Sequence, residues 1–202
     1  MPIRLAEPPR GALEQLQQLL LERAERSDFA TSALRDAPVD ELGLTAPHPV
    51  YTLGLDALVG GEGLAGAQLT GWRYLLQRGD SVIASAEVHV GASGAEVSRL
   101  EVNEGPFVRA TEAAISRAEE LPELASGGHE LRLLRIPGAY VIALWLKPEG
   151  GGEDLLIPIG ETPPEIEPGR PYKPDELFGA LAEPARRQLE FDSSPGQQPK
   201  SD

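Results

Sequence analysis

Apolar positions recur along this chain in two rhythms, and the change from one to the other marks its elements. After Pro8 and Pro9, residues 11–26 (GALEQLQQLLLERAER) set Leu13, Leu16, Leu20 and Ala24 at helical spacing with Glu14, Gln17 and Gln18 between them, which predicts a helix. Leu19 and Leu21 widen the apolar stripe, which suits packing against the rest of the chain or against a second copy. From residue 27 to 66 the rhythm is lost. Pro38, Pro47, Pro49 and the run Gly60-Gly61-Glu62-Gly63 interrupt that stretch, so it reads as an irregular connector with short helical turns near residues 30–34 and 56–59.

A period of two then takes over. Trp72, Tyr74 and Leu76 share one alternation, and Val82, Ala84, Ala86, Val88 and Val90 share another after the break at Arg78-Gly79-Asp80, which predicts a hairpin. A loop over 91–95 leads to a third strand at 97–102. Pro106 suits the first position of a helix in which Phe107, Ala110, Ala114, Ala118 and Leu121 lie on one face and Arg109, Glu112, Ser116 and Glu119 on the other. Its alanines allow close approach to a sheet, and Pro122 ends it. Residues 131–136 and 139–146 (AYVIALWL) then read as two strands, the second apolar on both alternations and so buried on both faces. Pro137-Gly138 fits the middle of a type II turn and makes the pair a hairpin; the alternative is one strand bent at Pro137. Past the glycine-rich loop at 147–153, Leu155, Ile157 and Ile159 mark a last strand, which Pro158 places at a sheet edge.

The prolines of 160–174 (GETPPEIEPGRPYKP) suggest an extended strap. A final helix from Asp175 follows, with Leu177, Phe178, Leu181 and Leu189 as its apolar side and Pro184 kinking or splitting it. The fold class that results is α+β: a mainly antiparallel sheet of three strands, a helix and three strands, with one helix packed on it, plus N- and C-terminal helices. The chain divides into an N-terminal helix and irregular connector (1–66), an α+β core (67–160), a proline-rich strap with the C-terminal helix (161–191) and a disordered tail (192–202). As an architecture, the helix-on-sheet order of 68–159 resembles cystatin-like folds, a likeness that carries over no functional residue.

Composition narrows the function. A chain of 202 residues with 41% hydrophobic content can bury a sizeable core. Without cysteine it has no disulfide, thiolate metal site or cysteine nucleophile, and the N-terminus lacks the apolar run of a signal peptide. The longest apolar run, 139–146, is far shorter than the ~20 residues that span a bilayer, so no membrane partner and a cytoplasmic location are expected. The formal net charge of −14, from 32 acidic and 18 basic residues without a basic stripe, argues against nucleic acid. Such acidity serves solubility, or attracts a basic protein partner.

Motif chemistry is sparse. His48, His89 and His129 are scattered without ligand spacing, Gly91-Ala92-Ser93-Gly94 lacks the second glycine of a nucleophile elbow, and neither glycine-rich run opens a phosphate-binding helix. Arg78-Gly79-Asp80 is a hairpin turn, and Trp72, Tyr74, Tyr140 and Trp145 are expected in the core. No catalytic residue, cofactor or metal is assigned. The best cluster is Glu87, His89, Arg99 and Glu101, beside Ser85, on the outer face of two adjacent strands. If Val88 pairs with Leu100, Glu87 faces Glu101 and His89 faces Arg99, a like-charge crowding that needs an offset; if Ala86 pairs with Leu100, Glu87 meets Arg99 in an ordinary surface salt bridge. The favoured reading is a non-enzymatic cytoplasmic interaction module that engages another protein, a basic one by charge, with a homo-oligomer through the N-terminal helix as a further expectation. The alternative is a small-ligand-binding protein or hydrolase that uses Glu87, His89, Arg99 and Glu101 between the sheet and the 27–66 connector.

Overall fold

The computed structural model describes residues 3–9, 11–26, 28–38, 41–90, 97–124 and 127–192. The alternating segments form strands and the helically spaced ones form helices, in the order β1 (Ile3–Arg4), α1 (Ala12–Glu25), α2 (Ser32–Arg35), β2 (Leu42–Thr52), α3 (Leu55–Val59), β3 (Gln68–Arg78), β4 (Ser81–Val90), β5 (Val97–Asn103), α4 (Pro106–Glu119), β6 (His129–Ile136), β7 (Val141–Pro148), β8 (Leu155–Pro158) and α5 (Pro174–Asp192). The disordered tail expected at 192–202 lies, but for its first residue, outside the described residues.

One eight-stranded sheet carries the order β5-β4-β3-β2-β6-β7-β8, with β1 beside β6. Its pairs are antiparallel except β2 with β6 and β1 with β6. Both parallel partners use the same flank of β6: Ile3 pairs with His129, and Val50, Tyr51 and Thr52 pair with Leu133, Leu134 and Arg135. The α+β class therefore holds, with two strands more than the sequence pattern contains. The stretch expected to be irregular, 27–66, supplies β2, an eleven-residue strand in the middle of the sheet, as well as α2 and α3.

Alternation sends successive side chains of each strand to opposite faces. On one face Trp72, Tyr74, Leu76, Ala84, Ala86 and Val88 meet Leu16 and Leu20 of α1 and Leu34 of α2. Further along, Leu134, Ile136, Ala143 and Trp145 meet Leu58 of α3 and Leu177, Phe178 and Leu181 of α5. On the other face Val50, Leu131, Leu133, Leu144 and Leu146 pack against Ala114 and Ala118 of α4. Leu133 and Leu134 are both wholly buried, each on its own face, and burying a leucine stabilises by roughly 1.5–3 kcal/mol.

The turn between β6 and β7 differs from a type II turn. The hairpin is present, but Pro137–Ala139 form a short 3-10 helix and the left-handed position falls on Tyr140, at φ 53°. Gly138 is needed for space instead: a Cβ there would lie 2.6 Å from Leu55 Cγ. The strap is anchored where Tyr172 exchanges two 2.8 Å backbone hydrogen bonds with Leu156. Helix α5 runs through Pro184.

Candidate functional site

Register brings four polar residues into a row beneath α4. His48 of β2 stands opposite Arg73 of β3, Arg73 opposite Glu87 of β4, and Glu87 opposite Glu101 of β5. Val88 pairs with Leu100, so the two glutamates face each other. Their side chains turn apart. Glu101, about one-third exposed, lies 3.5 Å from His89 Nε2 and 3.3 Å from Arg99 Nη2. Glu87 is wholly buried and accepts three hydrogen bonds: one of 3.2 Å from Arg73 Nε and two of 2.6 Å from Arg135 Nη1 and Nη2. Arg135 reaches it from β6, across β2 and β3, in the bidentate geometry that makes Arg–carboxylate pairs strong and directional.

Gly71 lets the backbone of β4 approach beside this carboxylate. It lies on the same face as Arg73, and a Cβ there would come within 2.7 Å of Val88 O and 3.6 Å of Glu87 Oε1. Phe107, in the first turn of α4, lies over the Arg73 guanidinium at 4.9 Å from ring centroid to Cζ, a cation–π contact that helps to seal the row from solvent.

Two guanidiniums share one buried carboxylate, and His48 adds no counter-charge. Its Nδ1 lies 2.7 Å from Ala46 O. A carbonyl only accepts, so Nδ1 carries the proton and Nε2 is a bare acceptor, with no hydrogen-bond partner. Burial pulls the His48 pKa down from 6.5 to about 4, against the pull of the Ala46 carbonyl and with help from the positive charges of Arg73 and Arg135. Burial likewise lowers Arg73 to about 10, opposed mainly by Glu87; it stays a cation at neutral pH, and its Nη1 has no partner. Ser85 Oγ and His48 Nε2 are each unpartnered, so the hydroxyl–imidazole contact that activates a nucleophilic serine is not made.

Arg135 also connects this buried row to the surface. Its side chain is 20% exposed and lines a cavity of about 400 Å³ with Phe107, Tyr140, Ile142, Ile159 and Glu161. Tyr140, at the mouth, is 79% exposed, and its left-handed backbone is unusual for a residue with a side chain. A guanidinium has more N–H donors than one carboxylate can accept from, and the Nε edge of Arg135 has no partner among the described residues.

The residues singled out from the sequence thus part company. Glu87 lies at the centre of the buried row; His89, Glu101 and Arg99 form a partly exposed group at its β5 end. Arg73, Arg135 and His48 were missed. The two arginines follow the same alternation as Glu87, which was the available signal, but the helix that covers that face cannot be read from the strands. Of the four aromatics expected in the core, Trp72, Tyr74 and Trp145 are buried and Tyr140 is not. Among the described residues, no three His, Asp or Glu side chains converge as a metal ion requires, and no helix is long and apolar enough to cross a membrane. No protein-family model, curated protein or solved structure, cystatin-like folds included, matches the chain.

Proposed function

We propose that this chain is a small-ligand-binding protein whose site is the cavity between the first turn of α4 and the β6–β7 turn. One observation carries the reading: Arg135, held in place by the wholly buried Glu87, lines a cavity whose other walls are Phe107, Pro137, Tyr140, Val141, Ile142, Ile159 and the single carboxylate of Glu161. A largely apolar pocket of ~300–1,000 Å³ with a few fixed polar groups is the usual form of a small-molecule site. The test is a fragment screen read by amide chemical shifts. Saturable shifts confined to residues 107, 135–142 and 159–161, and abolished in an Ile142→Trp variant that fills the cavity, support the reading. A screen in which no fragment shifts those amides rejects it.

A second reading keeps the chain as a cytoplasmic interaction module, on the strength of one face of α1. Leu13, on the same stripe as the buried Leu16 and Leu20, and Leu21, at the edge of that stripe, are 39% and 50% exposed. Under this reading they contact a basic protein or a second copy, steered by the net charge of −14. Sedimentation and pull-down at low and high salt test it: neither a dimer nor a salt-sensitive partner, with Leu13→Ser/Leu21→Ser behaving as the parent does, removes it.

A further inference from the structure

We infer that the ligand of this cavity is a singly charged carboxylate with an apolar or aromatic body, bound by the free edge of Arg135. The inference rests on the cavity being a ligand site and adds its chemical class.

Charge balance is the first argument. Arg73 and Arg135 share Glu87 as their carboxylate, and the neutral His48 supplies no negative charge. One wholly buried carboxylate therefore serves two cations, and Glu101, which also acts on Arg73, is one-third exposed. Geometry is the second. Glu87 occupies the Nη1 and Nη2 positions, which leaves Arg135 the edge containing Nε, itself a two-donor fork matched to a planar carboxylate. The third is the approach of α4. Its first turn contributes Phe107 to the cavity wall and contains no acidic residue.

The same groups set the limits of the charge. Glu87 is already bound to Arg135 and Glu161 stands in the lining, so a dianion such as a phosphate monoester meets the repulsion of two carboxylates with twice the charge of a carboxylate ligand. A monoanion meets half that repulsion and still fits the planar fork of Arg135. Phe107, Val141, Ile142 and Ile159 then cover its apolar part, and Tyr140 stands at the mouth, where its ring can lie against a flat one.

Calorimetric titration of the full chain with benzoate, 3-phenylpropionate and octanoate, with 3-phenylpropionamide and with phenyl phosphate, tests the inference. At least one carboxylate is expected to bind saturably, with the amide and the phosphate weaker by tenfold or more. Ile142→Trp, which leaves the charged row intact, is expected to abolish binding; Glu161→Gln is expected to tighten the carboxylate and narrow the gap to the phosphate. Arg135→Lys keeps the charge without the fork and is expected to weaken the carboxylate at least tenfold, its folding checked by circular dichroism. Amide and carboxylate binding equally well overturns the anionic class and leaves the cavity as a ligand site. No saturable binding by any of the carboxylates overturns the inference, and silence in the fragment screen as well removes the site itself.

Discussion

At the scale of single residues, Glu87 and Glu101 are Cα partners of the same chemical type that differ in burial, and burial decides what each is worth. Glu87 is 0% exposed and is the acceptor for two guanidiniums, so Glu87→Gln leaves the buried Arg73 and the one-fifth-exposed Arg135 without their shared counter-ion. Removing one partner of a buried pair typically costs about 3–5 kcal/mol. Glu101→Gln, at a site one-third exposed, is expected to change stability by less than about 1 kcal/mol. Urea unfolding compares the two; equal midpoints for both variants refute the ranking.

His48 makes stability depend on pH. Its pKa falls from 6.5 in the unfolded chain to about 4 in the fold, so between those values the unfolded chain holds a proton that the native state does not. Stability is therefore full above pH 6.5 and is lost as pH falls towards 4, by roughly 3 kcal/mol at about 1.4 kcal/mol per pKa unit. His48→Gln is expected to flatten that limb of a stability–pH curve. An unchanged slope in the variant assigns the acid sensitivity elsewhere. Of this site, the sequence disclosed Glu87 and the register question around it. Arg73 and Arg135 were legible only as outward positions of strands, and an outward position is solvated unless something covers it. The covering helix α4 is a tertiary fact, and it turns a surface salt bridge into a buried row.

At the scale of elements, the hairpins and α4 were legible because alternation, turn residues and an apolar stripe all agree there. β2 was not, for reasons visible in LGLTAPHPVYT. Its alternation is broken by an irregularity between Thr45 and His48, where Ala46 takes φ 47°, and two prolines stand in the run. Proline belongs where no ladder bond is owed. Pro47 and Pro49 fit that rule, since β2 pairs with β6 only from Val50 to Thr52 and the flank beside the prolines carries no partner strand among the described residues. His48, a polar residue in a central strand, hid the pattern further. Strand spacing yields a prediction of its own. At Gly71 an added Cβ would meet the Val88 carbonyl at 2.7 Å, and a backbone atom in a paired strand cannot move aside cheaply. Gly71→Ala is expected to destabilise by about 1–3 kcal/mol, with faster amide exchange along β3 and β4. Native-like exchange there, with an unchanged midpoint, would show that the strands have slack.

At the scale of the whole molecule, β2 determines which parts can stand alone. The sequence pattern isolates 67–160 as a core, yet in the sheet order β2 lies between β3 and β6, so the strands before α4 and those after it meet only through a segment from the first third of the chain. Without β2 the facing flanks of β3 and β6 lose their ladder bonds, including the 2.8 Å bond from Leu53 N to Arg135 O. Val50 and Leu53, both wholly buried, leave the core as well, and loss of α5 uncovers Trp145, Ala143 and Leu134. The Arg135–Glu87 pair then has to bridge an open gap, for it joins β6 to β4 across the very strands that β2 aligns. Unpaired edges of that length favour aggregation over folding. A fragment of 67–160 is therefore expected to show no cooperative urea transition and to self-associate, whereas 3–192 keeps one transition with an m-value scaled to its length. A soluble 67–160 fragment with a sharp transition of its own would mean that the two halves of the sheet do not depend on β2.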